Sequence, residues 1–205
     1  MMTRIHAARR PVLLAALALA LLGGCASPEP RYYTLAQGPA AAAAGAAIPT
    51  DNPIWIEVAP VRVPERLNRP QLVVRDANGG DDATLRLLDL ARWSSPLPDE
   101  LRDALSQRLQ ANLGAVDTYQ QGLADVTPVY RITTEVTRLD ADLGQRAGAS
   151  INWTVRRLPD GKVVAGRTQA ELPAPGSVDG VVAAYREIVS GAANEIASGL
   201  RSLRQ

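Results

Sequence analysis

The stretch Leu22-Gly23-Gly24-Cys25 constrains this chain more than any other, because it divides the sequence into a leader and a mature part. Arg4, Arg9 and Arg10 precede an uncharged apolar run that extends from Val12 to Leu22. A basic start, an apolar run of about a dozen residues and small residues at its end are typical of a secretory signal. The run is shorter than the ~20 residues that a membrane-spanning helix requires. We therefore predict a signal helix that is cleaved before the cysteine.

Cys25 follows this signal, over residues 1–24, and is the single cysteine of the chain. A cysteine after Leu-Gly-Gly resembles the bacterial lipoprotein signal, in which the thiol takes up a diacylglyceryl group and the amine freed by cleavage takes up a third acyl chain. Since two acyl chains already give stable anchoring, we expect lipidation of Cys25 to hold the protein on a membrane. An ordinary secreted protein with an unrelated cysteine is the alternative. Residues 25–30 then form a lipidated tether of at most ~20 Å.

Removal of residues 1–24 leaves 181 of the 205 residues, which suits a single domain over residues 31–205. The signal contains three of the 22 basic residues and none of the 21 acidic ones. The mature side chains therefore carry 19 positive and 21 negative charges, a net charge of −2. This balance gives no electrostatic support for nucleic-acid binding.

The residue inventory excludes the common catalytic and metal sites from the mature part. The only histidine, His6, lies in the signal, and Cys25 is consumed by lipid. A Ser-His-Asp or Cys-His catalytic site, a Cys/His zinc site and a disulfide therefore cannot form. We predict no enzymatic activity, no catalytic residue, no metal and no cofactor, in a fold held together by its core alone.

Hydrophobic periodicity predicts an α+β fold. Two stretches carry the apolar stripe of a helix, at about 96–113 and 178–203, with Ser95 and Ser177 as expected N-caps and Gly114 as expected C-cap. The order of strands, helix, strands, helix predicts a mixed or mainly antiparallel sheet with both helices on one face. Strands are expected at 31–35, at 54–58 with a continuation to Val63, and at 71–75, 84–90, 116–119, 130–139, 149–157 and 162–172.

Two further segments are expected to be loops. Ala36–Asn52 is rich in Ala, Gly and Pro and favours a flexible loop, with a short helix at 40–47 as the alternative. Asp140–Gly148 is polar and favours a hairpin loop. In the last helix, Gly191 with Ala192 or Ala193 is expected to permit close packing on the sheet or on the first helix.

Aromatic and basic side chains in the first half of the chain are the candidate partner- or lipid-binding residues. Tryptophan and arginine are the side chains that most often carry binding energy at interfaces, and arginine pairs with carboxylates and phosphates. The alternatives are tryptophans in the core and solvated arginines at a sheet edge. The candidates are Trp55, Arg66, Arg69, Arg92 and Trp93.

Several segments, in order and spacing, resemble the PqiC/YmbA-type family of ABC-type transport auxiliary lipoproteins. They are the motif at Cys25, Tyr32–Leu35, Ile54–Leu67, Arg69–Gln71, Arg92–Leu97, the strand bearing Trp153 and the long C-terminal helix. The resemblance implies a periplasm-facing outer-membrane lipoprotein that works with an MCE-type periplasmic protein and inner-membrane transporter components. Lipid trafficking between the two membranes and envelope integrity are the implied processes, and a homo-oligomer is compatible with them. A structural or small-ligand-binding outer-membrane lipoprotein without a transporter partner is the alternative.

Overall fold

The computed structural model describes residues 28–36, 53–76, 84–119 and 126–205. The expected signal over residues 1–24, Cys25 and all but the first residue of Ala36–Asn52 lie outside the described residues. Within the described part, no helix is both long enough and apolar enough to cross a membrane. Residues 31–205 form a compact unit by themselves, and the architecture below is that of this unit.

Within the described ranges, this unit contains eight strands, two α-helices and one 3-10 turn. Both helices lie where the periodicity predicts them. In chain order the elements are β1 (Arg31–Tyr33), β2 (Ile54–Val58), the 3-10 turn (Glu65–Leu67), β3 (Gln71–Arg75), β4 (Leu85–Trp93), α1 (Leu97–Leu113), β5 (Ala115–Asp117), β6 (Tyr130–Asp142), β7 (Arg146–Arg157), β8 (Val163–Pro173) and α2 (Val178–Leu203).

The strands form two sheets, so the α+β class is confirmed and the strands do not share one sheet. The larger sheet has the order β5-β2-β6-β7-β8, and the smaller has the order β1-β4-β3. In the larger sheet β2 runs parallel to both of its neighbours, whereas β6, β7 and β8 form an antiparallel meander. In the smaller sheet β4 pairs parallel to β1 and antiparallel to β3.

After β2 the chain passes from the larger sheet to the smaller one. The strand ends at Val58, and the expected continuation to Val63 is wrong: the chain makes only one further bridge, from Arg62 to Glu135. Pro60 and Pro64 carry no backbone N–H and cannot donate to a ladder. The chain therefore leaves the larger sheet, makes the 3-10 turn and enters at β3 the smaller sheet, to which β1 also belongs.

The core lies between the larger sheet and the two helices. Helix α1 packs along β2 and β5, α2 packs along β7 and β8, and the helices contact each other. The alternation of apolar and polar residues that predicts the strands at 130–139 and 149–157 is confirmed, because the apolar residues Ile132, Val136, Ile151 and Val155 are all buried. Burial of each such side chain contributes about 1.5–3 kcal/mol, so no disulfide is required to hold these layers together.

The expected polar loop at Asp140–Gly148 is wrong. Strand β6 continues to Asp142 and β7 starts at Arg146, which leaves a three-residue turn with Gly144 at a φ of 76°. Ala141 and Ala147 are buried and paired across the strands. Small apolar residues therefore occupy inward-facing positions of both strands, although the segment as a whole is polar. An ion pair of 2.6 Å between Arg146 and Asp142 stabilises the end of the hairpin.

The helix ends are only partly as the sequence predicts. Gly114 ends α1 with a φ of 60°, which confirms the expected C-cap. The expectation for Ser95 is wrong, because Pro96 occupies the N-cap position and no side chain caps the helix. Ser177 occupies the N-cap position of α2 as expected, but its hydroxyl lies 3.3 Å from a carboxylate oxygen of Asp179 and caps no backbone N–H.

Close packing of α2 on the sheet occurs at Gly199. The expectation of close packing is wrong for Gly191 itself, whereas Ala192 and Ala193 are fully buried as expected. A Cβ atom at Gly191 would meet nothing within 4 Å. A Cβ atom at Gly199 would lie 3.1 Å from the indole of Trp153, and one at Gly166 would lie 2.2 Å from it. The indole therefore fills the space that these two glycines leave between β8 and α2.

Candidate functional site

A cleft of about 380 Å³ brings together two of the candidate binding residues, Arg69 and Trp93. Arg69 is exposed at its edge, whereas Trp93 is only 5% exposed and contributes to its floor. The backbone N–H of Trp93 donates to the carbonyl oxygen of Pro70 at 2.8 Å, which joins the two walls. We call this feature the 69/93 cleft; its lining residues are Asn68, Arg69, Pro70, Trp93, Ser94, Ser95 and Pro96.

One wall of the 69/93 cleft is held by the buried carboxylate of Glu100 in the first turn of α1. The Ser94 hydroxyl donates to it at 2.5 Å and the Ser95 backbone N–H at 3.1 Å. The Thr34 hydroxyl donates to its second oxygen at 2.7 Å and the Leu35 backbone N–H at 2.8 Å. Four donors thus replace the water that this buried charge loses, and one carboxylate joins the cleft wall to the N-terminal segment.

The N-terminal segment is also attached to β4 and to α2. The Ser94 backbone N–H donates to the Tyr33 carbonyl oxygen at 2.8 Å. The Arg186 guanidinium donates twice to the Thr34 carbonyl oxygen, at 3.0 and 2.6 Å. Leu35 is fully buried. The first strand and the two residues after it are therefore fixed in the fold.

The electrostatics of β1 favour neutral Tyr33 beside a charged pair. Arg31 forms an exposed ion pair of 3.1 Å with Asp179, and its guanidinium lies 5.5 Å from the centre of the Tyr33 ring. Burial raises the pKa of Tyr33, and the charge of Asp179 raises it further. The phenol therefore stays protonated at neutral pH.

The structure does not bring the other three candidates into the 69/93 cleft. Arg66 lies on the 3-10 turn and lines a separate cavity. Arg92 pairs in register with Tyr32, and its guanidinium donates to the Asp89 carbonyl oxygen at 3.1 Å. Trp55 is half-buried on β2 in the larger sheet, where it pairs with Val116. Only Arg69 and Trp93 therefore share a site.

Glu100 is the residue at this site that the sequence analysis missed. An acidic residue in a first helical turn is usually explained by the helix dipole, and nothing in its spacing distinguishes it from the exposed Asp99. The nearby Ser94 and Ser95 were a local signal of hydrogen bonding. The contact with Thr34 and Leu35 crosses more than sixty residues and has no signal in one sequence.

Comparison with known proteins identifies the family of this chain. A family model described as the ABC-type transport auxiliary lipoprotein component matches residues 33–197. No curated protein matches the chain. A solved crystal structure of an uncharacterized protein has 19% identity and a TM-score of 0.65, and the match covers 84% of this chain and 99% of that chain.

Two further solved structures are similar to this chain to a lesser degree. A Xanthomonas campestris protein of the DUF330 family has 19% identity and a TM-score of 0.54, with 84% of this chain and 92% of that chain covered. The PelC dodecamer of Paraburkholderia phytofirmans has 8% identity and a TM-score of 0.39, and the match covers 67% of this chain and 86% of that chain. Because the family model spans most of its length, the chain belongs to the ABC-type transport auxiliary lipoprotein component family, which is a transport family and not an enzyme family.

Proposed function

We propose that this protein is an outer-membrane-anchored, periplasm-facing docking subunit of an MCE/ABC-type system that moves lipid between the two membranes and supports envelope integrity. Family membership implies lipid anchoring to a membrane and association with an ABC-type transporter. The choice of membrane, the MCE-type partner and the lipid cargo belong to the proposal. The observation that carries it is the match over residues 33–197, together with a preformed cleft joined to the N-terminal segment.

The proposed anchor holds the unit close to its membrane. Lipidation of Cys25 leaves a tether of residues 25–30, which extends at most ~20 Å. The chain is then fixed from β1 onward by Glu100 and Arg186. We propose that this short connection keeps the unit near the membrane surface.

A docking role follows from the size of the unit. A domain of this length has a radius of gyration of ~16 Å, so it cannot bridge the space between two membranes. A partner must supply the reach, and the 69/93 cleft offers a rigid surface with an arginine at its edge and an indole at its floor. Self-association into a homo-oligomer is compatible with this role and would multiply the number of clefts presented to one partner.

Site-specific crosslinking in the native envelope tests the proposed partner. A photoreactive amino acid in place of Ser95 lies in the cleft wall, and the same group in place of Arg167, which is exposed on β8, is the matched control. We expect position 95, and not position 167, to capture an MCE-type or transporter protein. Capture of neither at position 95 would count against docking and favour a structural or small-ligand-binding lipoprotein. The cleft volume suits a small ligand as well.

The proposed anchor has a separate test. Cys25→Ser removes the atom that accepts the lipid, and we expect the variant to be lost from the outer-membrane fraction and to fail to complement an envelope defect. Mass spectrometry of the wild-type mature protein should show acyl chains on its first residue. An unmodified Cys25 in the wild type would contradict the assignment directly.

A further inference from the structure

A second cavity, of about 390 Å³, lies where the 3-10 turn, the β3–β4 hairpin and β6 meet. Three arginines line it: Arg66 from the turn, Arg75 from β3 and Arg138 from β6. Asp140 is the one acidic side chain in its lining, so the lining carries a formal charge of +2. This contrasts with the net charge of −2 on the mature side chains. We call it the arginine cavity.

The positive charge of the arginine cavity is only partly neutralised. The guanidinium of Arg75 is paired with Asp140 and lies 3.8 Å from Asp142. Arg138 lies 3.6 Å from the other oxygen of Asp140 and makes no hydrogen bond to it. Arg66 is exposed and has neither a hydrogen bond nor an ion pair among the described residues. Arg66 therefore keeps all of its donors, and Arg138, although ion-paired with Asp140, makes no hydrogen bond that uses its own donors within the described residues.

Apolar surface continues from the cavity onto the open hairpin. Leu67 and Leu139 are buried and line the interior, whereas Leu85 lines the edge and is 42% exposed. Leu87 is also 42% exposed. Cross-strand partners in an antiparallel pair share a face, and Leu85 pairs with Arg75 while Leu87 pairs with Val73. The two exposed leucines therefore share one face of the hairpin with Val73 and Arg75, which are two of the residues that line the cavity.

We infer that the arginine cavity binds one phospholipid molecule through its phosphate. Guanidinium groups match the geometry of phosphate oxygens and bind them bidentately, which accounts for two arginines with free donors around one volume. A cavity of 390 Å³ admits a headgroup, and the acyl chains then lie along Leu85 and Leu87. The inference rests on the proposed lipid-transport function, because it names the chemical class of the cargo.

Binding of defined lipids to the mature lipidated protein in detergent tests the inference, with native mass spectrometry as the readout. The probes are dioleoylphosphatidylglycerol, glycerol phosphate, inorganic phosphate and dioleoylglycerol. We expect binding of phosphatidylglycerol to exceed binding of each of the other three by at least about tenfold, because only it offers phosphate and acyl chains together. Equal binding of inorganic phosphate would overturn the phospholipid assignment, and equal binding of dioleoylglycerol would overturn the role of the arginines.

Variants assign the binding to this cavity. The double variant Arg66→Gln/Arg138→Gln keeps two polar side chains at the surface, and we expect it to weaken phosphatidylglycerol binding about tenfold or more. Arg167→Gln is the matched control, since Arg167 is exposed on β8 and donates only to Asn152. Circular dichroism confirms that each variant is folded. Unchanged binding in the folded double variant would overturn the site.

The same variants separate this inference from the docking proposal. The double variant should still give the crosslink from position 95, because the 69/93 cleft shares no lining residue with the arginine cavity. Partner capture at position 95 without any phosphatidylglycerol binding would overturn the inference and leave docking supported. Phosphatidylglycerol binding that depends on Arg66 and Arg138, without partner capture, would support the inference and overturn docking.

Discussion

The guanidinium of Arg102 donates to the carboxylate of Asp117 at 2.6 Å in the interior, where their side chains are 5% and 0% exposed. The Ser106 hydroxyl donates to the same oxygen at 2.7 Å, and the Val58 backbone N–H donates to the other at 3.2 Å. Arg102 also donates to the Val58 carbonyl oxygen at 3.1 Å. This ion pair therefore connects α1 with β2 and β5, and hence the helix that carries Glu100 with the larger sheet.

Asp117→Asn is expected to lower the free energy of unfolding by about 3–5 kcal/mol, because it removes the buried counter-charge of Arg102 and leaves only the exposed carboxylate of Asp103 beside it. Chemical denaturation measures the change. Asp103→Asn is the matched control: Asp103 also contacts Arg102, at 3.2 Å, but its side chain is 42% exposed. In that variant the free energy of unfolding should fall by about 1 kcal/mol or less. Similar losses in both variants would contradict a special role of the buried pair.

Glu100→Gln is expected to destabilise the unit by about 2–3 kcal/mol, because a neutral amide accepts fewer and weaker hydrogen bonds from the four donors. Hydrogen exchange locates the effect: the Leu35 amide should lose protection first. Glu187→Gln, at an exposed position of α2, is the control and should leave that amide unchanged. A Leu35 amide that stays protected in Glu100→Gln would show that Arg186 and the β1–β4 pairing hold the segment without the carboxylate.

Gly166→Ala and Gly191→Ala are expected to change stability in opposite directions. The first places a Cβ atom 2.2 Å from the Trp153 indole and should cost about 1–3 kcal/mol through overpacking. The second adds a methyl group to α2 at a position with no neighbouring atom within 4 Å. It should raise the free energy of unfolding by up to about 1 kcal/mol, because alanine has the higher helix propensity. Thermal unfolding measures both changes. A stable Gly166→Ala protein would mean that the indole has room to move.

The turn between β7 and β8 is expected to be sensitive to acid. Arg157 donates to both carboxylate oxygens of Asp160, at 2.9 and 2.5 Å, and these hydrogen bonds lower the Asp160 pKa from 3.8 to about 2. Because the folded pKa lies below the unfolded one, the stabilisation is present above pH ~4 and is lost as the pH falls through about 2. An NMR titration of the carboxyl carbon measures the midpoint. Arg157→Gln should return it toward 3.8, and a wild-type midpoint already there would refute the pairing.

The elements that the sequence predicted well are those with uninterrupted periodicity. Helix α2 spans Val178–Leu203 as expected, and the meander of β6, β7 and β8 follows the alternation of large apolar residues. The pattern failed at Asp140–Gly148, where two alanines and a glycine occupy the buried positions and charged residues occupy partly or fully exposed ones. A hydrophobicity pattern has little contrast when the inward-facing side chains are small.

The family resemblance is confirmed, whereas the arrangement of the site was only partly predictable. Arg69 and Trp93 are 24 residues apart in the sequence, and their meeting depends on the hydrogen bond between Trp93 and Pro70. Trp55 lies in the larger sheet because β2 pairs with β5 and β6, whereas β1 before it and β3 after it pair with β4 in the smaller sheet. Sheet membership is decided by long-range pairing, which a single sequence does not encode in any local pattern.

The attachment of Thr34 and Leu35 to Glu100 also has a mechanical consequence. A pull on the N-terminal tether acts on β1 and then, through one carboxylate, on Ser94 and Ser95. The parallel pairing of β1 with β4 is loaded along the strands, so its hydrogen bonds share the force. Under the proposed anchoring and docking, tension between a membrane and a partner would therefore reach the 69/93 cleft by the short path from Thr34, and it would also load the two helices that carry Glu100 and Arg186.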